Sequence, residues 1–473
     1  MSRAGAAKRP RILSRMIPRA LGVLLAVLCM GGSSATAQGF VFTRTGSGAR
    51  AAGMANAFIA VSDDGTAASW NPAGLGQLRK PELSVVSTTA GQNLRAQGFR
   101  TRDDLSAFTT ATSSYQSTYL DFASLAVPVT ILGKPTTFQG AWRRFYTLDF
   151  REIVSLNREP QATDGPPAAR IDSNSDVLGS VDIVSIAGAV KLTPRLAFGA
   201  SFNLWRGDWT EHASVSETPL AGQVAPAFLN TRGANRVRGN NFSLGLMLTY
   251  PRWSVGLLHQ RPLRSDYGTS GSVMASGEPP GPPSAVQGTL RFPQALGLGG
   301  AWRPATRWTV DLDLTWDNWK EAELDLPVTG RVNLFDNLPS DRTATRNTLS
   351  VNAGAEHIFP GEGFVVPLRF GAAWEPQGGR SPYTLDPVNY SMLAVGAGYN
   401  TNSLKFDAAV QYRWARFRDG ANFGIASIGS VVLPLAVGER DTREWRLKLS
   451  LILRVTDTDK LHRTIRRVFG GGS

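Results

Sequence analysis

Cysteine is nearly absent: the 473 residues hold one, Cys29. It lies in a short apolar run, "ALGVLLAVLCM" (20–30). Ahead of that run stand Arg3, Lys8, Arg9, Arg11, Arg15 and Arg19, with no acidic residue among them. A positive stretch, a short apolar run and the small-residue site "ATAQ" (35–38) read as a secretory signal peptide over 1–37, cleaved after Ala37. Leu28 stands directly before Cys29 where a lipoprotein site wants a small residue, so lipidation is not expected. The mature chain then has no thiol, which excludes disulfides and a cysteine nucleophile. Long apolar runs are also missing after the signal. None reaches the roughly 18 residues of a spanning helix, which leaves a soluble protein or the other permitted membrane solution, a closed β-barrel. A block of lysine and arginine is lacking as well. The formal charge of +13 includes the six cations of the leader. The remaining excess is scattered among acidic residues, which reads as a solvated exported surface rather than a nucleic-acid face.

What the chain does have is alternation. In "WTVDLDLTWDNW" (308–319), Trp308, Val310, Leu312, Leu314 and Trp316 fall on one face of an extended segment. Thr309, Asp311, Asp313, Thr315 and Asp317 fall on the other, because successive side chains leave a strand on opposite sides. "LKFDAAVQYRW" (404–414) and "EWRLKLSLILRV" (444–455) repeat the pattern, as do "RLAFGASFNLW" (195–205) and "NFSLGLMLTY" (241–250). Further candidates near 81–89, 119–129, 135–146, 182–192, 252–261, 287–302, 345–358, 365–375 and 391–399 bring the expectation to about fourteen strands, with no amphipathic helix following any of them.

A soluble sandwich hides its apolar face in a core, whereas an outer-membrane barrel turns it to lipid and keeps polar residues in the lumen. Three features favour lipid. The segments reach the roughly 9–11 residues of a tilted spanning strand. Aromatic residues mark their ends: Trp308, Trp316, Tyr412, Trp414, Trp445, Tyr250 and Trp253. Tight connections such as "RPATR" (303–307) and "YPRW" (250–253) alternate with polar excursions at 207–236, 262–286, 320–344 and 415–442, as barrels require. The expected fold class is therefore all-β, a transmembrane antiparallel barrel over 81–455, followed by a tail at 456–473.

Residues 38–80 do not alternate. They are rich in small residues, with short helical possibilities at 49–58 and 66–70, broken by Pro72 and loosened by Gly74 and Gly76. Such a segment suits folding back into a lumen. Here "GARAAGMANAFIAVSDDGTAASWNPAGL" (48–75) resembles the outer-membrane long-chain fatty acid transporters, the FadL/OmpP1/TodX family, with Asn71-Pro72-Ala73 at its Asn-Pro-Ala hatch motif. "FPQALGLGGAWRPATRWTVDLDLTWDNW" (292–319), "RWSVGLLHQRPLRSDYGTSGSV" (252–273) and the hairpins of 366–414 resemble that family in order. The resemblance implies a Gram-negative outer-membrane barrel of fourteen strands, a lumen closed by an N-terminal hatch, and hydrophobic ligands that leave sideways at a kinked strand. It departs from the family in the "TDTDKLHRTIRRVFGGGS" that follows Val455, where family barrels commonly end on an aromatic residue.

No catalytic constellation is visible, so the chain is not expected to be an enzyme, and no cofactor or metal is implied. His212, His259, His357 and His462 stand apart, none at ligand spacing. "GSGARAAG" (46–53) has Ala51 at the third glycine position of a dinucleotide loop, and no strand precedes it. Asp63-Asp64-Gly65 reads as a turn or helix cap before Thr66 rather than a working carboxylate pair. Asn71-Pro72-Ala73 reads either as an ordinary helix stop or as a hatch tip lodged against the barrel wall. Phe40, Val41 and Phe42 would help line an apolar pocket. Two functions follow: passive transport of hydrophobic compounds, long-chain fatty acids first, or a structural or secretion-machinery anchor. An outer-membrane phospholipase is a distant third. The expected partners are hydrophobic small molecules and outer-membrane lipid, with no nucleic acid, and the barrel is expected to be a monomer.

Overall fold

The computed structural model describes residues 46–101, 111–158, 169–220, 227–276, 279, 281–327, 329–336, 338–380, 384–421 and 436–455. The signal peptide, Phe40, Val41 and Phe42, and the tail from 456 lie outside the described residues. A short helix α1 (Ala49–Gly53) and two 3₁₀ turns, Ala67–Ser69 and Pro72–Gln77, come first. Then follow β1 (Glu82–Thr101), β2 (Ala111–Ile131), β3 (Lys134–Thr147), β4 (Phe150–Arg158), β5 (Ala169–Lys191), β6 (Leu196–Pro219) and β7 (Ala227–Thr249). The middle of the chain gives β8 (Trp253–Gln260), β9 (Leu263–Ala275), β10 (Ser284–Phe292), β11 (Ala295–Trp302), β12 (Trp308–Asp317), β13 (Glu323–Leu326) and β14 (Gly330–Asn333). The last stretch gives β15 (Thr348–Pro360), β16 (Phe364–Arg380), β17 (Pro387–Thr401), β18 (Leu404–Ala421) and β19 (Ala436–Arg454).

These segments build a closed antiparallel barrel of fourteen strands. Closure is made by β1 against β19, with Leu83 opposite Leu453 and Thr89 opposite Leu447. The count falls from segments to strands because some strands are broken. β3 and β4 are halves of one strand, interrupted at Leu148 and Asp149. β8 and β9 break at Arg261-Pro262, and β10 and β11 at Pro293-Gln294. The last two breaks each carry a proline, which has no N–H to give the ladder. β13 continues β12 beyond the one-turn helix Trp319–Glu321, and β14 folds back on it.

The alternation places its faces as expected. Leu312 is 49% exposed and Asp313 1%. The outward row of β12 continues across the wall into Leu298 on β11 and Val351 on β15, at matching register. Short turns lie at one end, at 132–133, 192–195, 250–252, 303–307, 361–363 and 402–403. The longer connections lie at the other end, which is the outer side in barrels of this kind.

The loop expectation needs correction. The described residues of 207–236, 262–286 and 415–442 are largely strand: β6 runs to Pro219, β7 starts at Ala227, and β9, β10, β18 and β19 extend likewise. Beyond the bilayer both faces of a strand meet polar surroundings, so the alternation fades while the backbone ladder persists. Within 320–344, β13 pairs with β10 through Leu324 opposite Leu290 and carries the wall outward.

Candidate functional site

The lumen is filled by the N-terminal segment. An irregular backbone can be buried only if its N–H and C=O groups find partners, and the inward polar row of the strands supplies them. Asp313 Oδ2 on β12 accepts from the backbone N–H groups of Phe58 and Ile59, at 2.6 and 2.8 Å. Asn352 on β15 donates to Ala55 O at 2.8 Å, Gln411 on β18 to Ala52 O at 3.1 Å, and Ser254 on β8 to Ala60 O at 2.8 Å. Ser450 Oγ on β19 accepts from Ala49 N at 2.6 Å. Gly65 is held from both sides: its N–H donates to Glu82 Oε2 at 2.7 Å, and its carbonyl accepts from Gln139 at 2.6 Å. Polar residues that would line water in an open pore here complete the hydrogen bonding of a plug.

Charge is matched in the same way. Arg369, wholly buried on β16, bonds Glu356 Oε2 at 2.6 Å and Asp407 Oδ1 at 2.7 Å. Arg50 of α1 reaches Glu356 at 3.2 Å and also pairs with Asp63. Burial works against the Arg50 charge, but Asp63, Glu356 and Asp64 outweigh it and raise its pKa well above the usual arginine value. Arg413 pairs with Glu375 at 3.0 Å and Glu444 at 3.2 Å, and Lys448 with Asp121 at 2.9 Å. Asp64 Oδ1 accepts from the N–H and hydroxyl of Thr66 at 2.9 and 2.6 Å, the turn of the two expected alternatives, since the following 3₁₀ turn has Thr66 as its N-cap.

Asn71, Pro72 and Ala73 sit together against the wall. Asn71 is the N-cap of the second 3₁₀ turn, its Oδ1 accepting from Ala73 N at 3.1 Å, with Pro72 at the first position of that turn. Its Nδ2 donates to Ile59 O at 3.2 Å within the plug and to Leu246 O at 3.1 Å on β7. The approach is close because β6 and β7 carry glycine there: a Cβ on Gly199 would strike the Pro72 backbone, and one on Gly245 would strike Asn71 Oδ1.

Beyond the plug, toward the outer side, the inward residues change from charged to aromatic. Phe145 lies 4.6 Å from Trp205 and 4.5 Å from Tyr146, and Phe292 5.1 Å from Trp319, between ring centroids. Ile183, Leu263 and Ala322 complete this apolar cluster. Trp319 closes it from outside, with Nε1 donating to Thr348 Oγ1 at 3.0 Å. Between this chamber and the plug is a cavity of about 40 Å³, lined among others by Trp70, Arg143, Phe145 and Asp317. The chamber residues were missed by sequence reading, although one signal was present. Trp205 falls on the polar face of its strand, out of phase with Phe202 and Leu204.

Beside the chamber the wall is not fully zipped. β2 pairs with β3 from Ile131 opposite Lys134 up to Phe122 opposite Arg143, and no further rung joins β2 to β3 or β4 among the described residues. The other edge of β2 stays paired with β1 up to Ala96 opposite Ala111. On β3 the ladder to β5 shifts register between Arg144 and Tyr146, at Phe145 itself. A side-chain contact bridges the seam where the ladder stops: the Tyr119 ring lies 5.6 Å from the Arg144 guanidinium.

The family profile described as outer membrane protein transport protein (OMPP1/FadL/TodX) matches residues 28–421. The chain belongs to this family, and its barrel is a Gram-negative outer-membrane, multi-pass barrel whose family carries hydrophobic compounds. Solved structures agree on the fold. A Pseudomonas aeruginosa FadL homologue is 13% identical with a TM-score of 0.61, covering 88% of this chain and 99% of its own. The Pseudomonas putida toluene transporter TodX is 14% identical with a TM-score of 0.57, covering 88% of this chain and 100% of its own. The Ralstonia pickettii toluene transporter TbuX is 13% identical with a TM-score of 0.55, at the same coverage. No curated protein matches the sequence.

Proposed function

We propose that the protein conducts hydrophobic molecules passively from the outer surface, through the aromatic chamber, to the bilayer at the β2–β3 seam, with the plug blocking small solutes. The observation that carries this is the adjacency of chamber and seam: Phe145 belongs to the ring cluster, lies just beyond the last β2–β3 rung at Arg143, and stands at the register shift of the β3–β5 ladder. An unpaired edge beside lipid is costly, so a seam held by a tyrosine–arginine side-chain contact is one that a ligand can part. Long-chain fatty acids are the first reading, because the matching family includes FadL and the fold is shared with a FadL homologue. Monoaromatic hydrocarbons are the second, favoured by the ring-on-ring lining, which leaves little free volume.

The test is displacement of a fluorescent lipid from the purified barrel by octanoate, dodecanoate, hexadecanoate and toluene, with Trp205→Ala in parallel. An extended-chain ligand should gain affinity with length, by at most ~0.8 kcal/mol per buried CH₂, and Trp205→Ala should weaken it. Toluene alone competing would select the aromatic reading. A flat response from all four would leave the anchor role.

A further inference from the structure

On one arc of the barrel the outside of the wall is hollowed both below and above the outer edge of the bilayer. The lower hollow, about 530 Å³, lies on the lipid-facing side between β6 and β15. Leu244, Leu257, Leu296 and Leu349 line it and are 38–48% exposed. Trp316 stands beside them, at the level where the lipid row ends. The upper hollow, about 570 Å³, follows on β7, β9, β10, β13 and β14. Arg238, Arg264, Arg291 and Arg331 line it, with the carboxylates of Asp266, Glu323 and Asp325 among them. These side chains point away from the lumen, because their strand neighbours Val237, Leu263, Phe292 and Leu324 are buried on the inner side.

The arginines are set against one another. Arg264 stands directly opposite Arg291 across the β9–β10 ladder, and like charges so placed repel. Arg291 has Glu321 at 2.7 Å, Arg238 shares Asp208 with Arg236, and Arg331 is 3.8 Å from Asp325. Arg264 forms no ion pair among the described residues. Its other ladder neighbour is Asn240, and Asp266, next outward on its own strand, stands opposite Arg238. Toward this level the lipid-facing row of β8 ends in His259, opposite Leu244 and Leu296.

We propose that this strip of wall binds one phosphorylated glycolipid of the outer leaflet, acyl chains in the lower hollow and sugar phosphate in the upper. In a Gram-negative outer membrane that leaflet is built of such lipid, so the occupant is a neighbour in the bilayer and not a transported compound. A phosphate between Arg264 and Arg291 takes bonds from both guanidinium groups and removes their repulsion. The carboxylates suit the same head, since Asp266 and Asp325 accept from sugar hydroxyls where they would only repel a bare phosphate. His259 is placed to donate to an ester at the root of the chains. Each hollow has the volume of a small-molecule site. A soluble sugar phosphate leaves the leucine hollow unused, and a hydrocarbon leaves the two arginines facing each other.

Full-length mature barrel, refolded in detergent without cellular lipid, is titrated with a bisphosphorylated, acylated glucosamine disaccharide, and bound copies are counted by native mass spectrometry. One copy should be retained where phosphatidylglycerol and the phosphate-free disaccharide lipid are lost. Arg264→Gln should bind it about tenfold less tightly, the loss of one charge-assisted bond, and Arg264→Lys should recover part of that. Leu298→Trp, which fills the lower hollow without changing charge, should also weaken binding. Arg443→Gln, an exposed position on β19 across the barrel, should leave it unchanged. Heat-modifiable migration confirms the barrel in each variant; if Arg264→Gln does not fold, Leu298→Trp and the phosphate-free lipid decide. Phosphatidylglycerol bound as tightly as the glycolipid, glucose 1-phosphate competing as strongly as the lipid, or an Arg264→Gln barrel that binds as the parent does would each overturn the proposal. Trp205→Ala should bind as the parent does, and a loss there would move the lipid into the chamber and overturn the site.

Discussion

Asn71 offers the sharpest test of how the plug is held. Its side chain is fully buried and makes three contacts: it caps Ala73 N, ties Ile59 O within the plug, and reaches Leu246 O on the wall. Asn71→Ala strands one donor and two acceptors in a space walled by the Gly199 and Gly245 backbones. Each buried group left unpaired costs about 1–3 kcal/mol. Some of that is recovered if a water enters, so about 2–5 kcal/mol should be lost from docking of the plug. The barrel ladder is untouched, so the loss belongs to the plug alone. Asn71→Ser separates the two roles. Serine is a good N-cap and keeps the Ala73 bond, but it is too short to reach Leu246. Hydrogen exchange resolved along the chain measures such local opening directly. Both variants should lose protection over 54–78 while β15 to β19 exchange as in the parent, and antibiotic sensitivity should rise with it. If serine restores full protection, the motif is an ordinary helix stop and the wall contact contributes nothing. If alanine also exchanges like the parent, the reasoning from unpaired groups fails altogether.

The barrel was legible because lipid imposes a strict pattern. A strand with hydrocarbon on one side must alternate, and the end tryptophans of 308–316 mark where that constraint stops. Above that level the sequence loses its rhythm, and Asp208, Thr210 and Glu211 of β6 read as loop although they sit in a continuous ladder with β7. The breaks at Arg261-Pro262 and Pro293-Gln294 were visible as prolines, but their consequence was not. Nothing local says that the two halves stay in one barrel strand. The seam was beyond reach for a deeper reason. It consists of rungs that are not made, between β2 and β3, and pairing is a property of two distant segments in register rather than of either sequence.

The candidate site divides similarly. Asn71-Pro72-Ala73 was found through a motif, and the structure sets it on β6 and β7 rather than beside the β2–β3 seam. The lumen carboxylates were recognised as inward, but a single strand could not show that Asp313 would receive plug backbone instead of water. The chamber draws Phe145, Trp205, Phe292 and Trp319 from four separate segments. Only the out-of-phase Trp205 gave any hint of it.

Two further outcomes follow from burial and charge. Leu312→Arg, at the middle of a lipid-facing row bounded by Trp308 and Trp316, should cost roughly 2–4 kcal/mol of folding stability in vesicles; a smaller loss than for Ser403→Arg in a short turn would mean the faces are misassigned. Arg369→Met should be far more damaging than its volume implies. It removes the only cation bonded to Asp407 among the described residues and one of the two on Glu356, leaving charge in a wholly buried place. Breaking such a pair costs about 3–5 kcal/mol, whereas replacing all its members together is often neutral. The triple change Arg369→Met, Glu356→Gln, Asp407→Asn should therefore recover much of the loss seen with Arg369→Met alone, in urea titrations of vesicle-inserted barrel. Arg50 would then face only Asp63 and Asp64, so the plug should exchange faster even where the barrel has regained its stability. A triple variant no more stable than the single one would show that the network contributes through shape and not through charge.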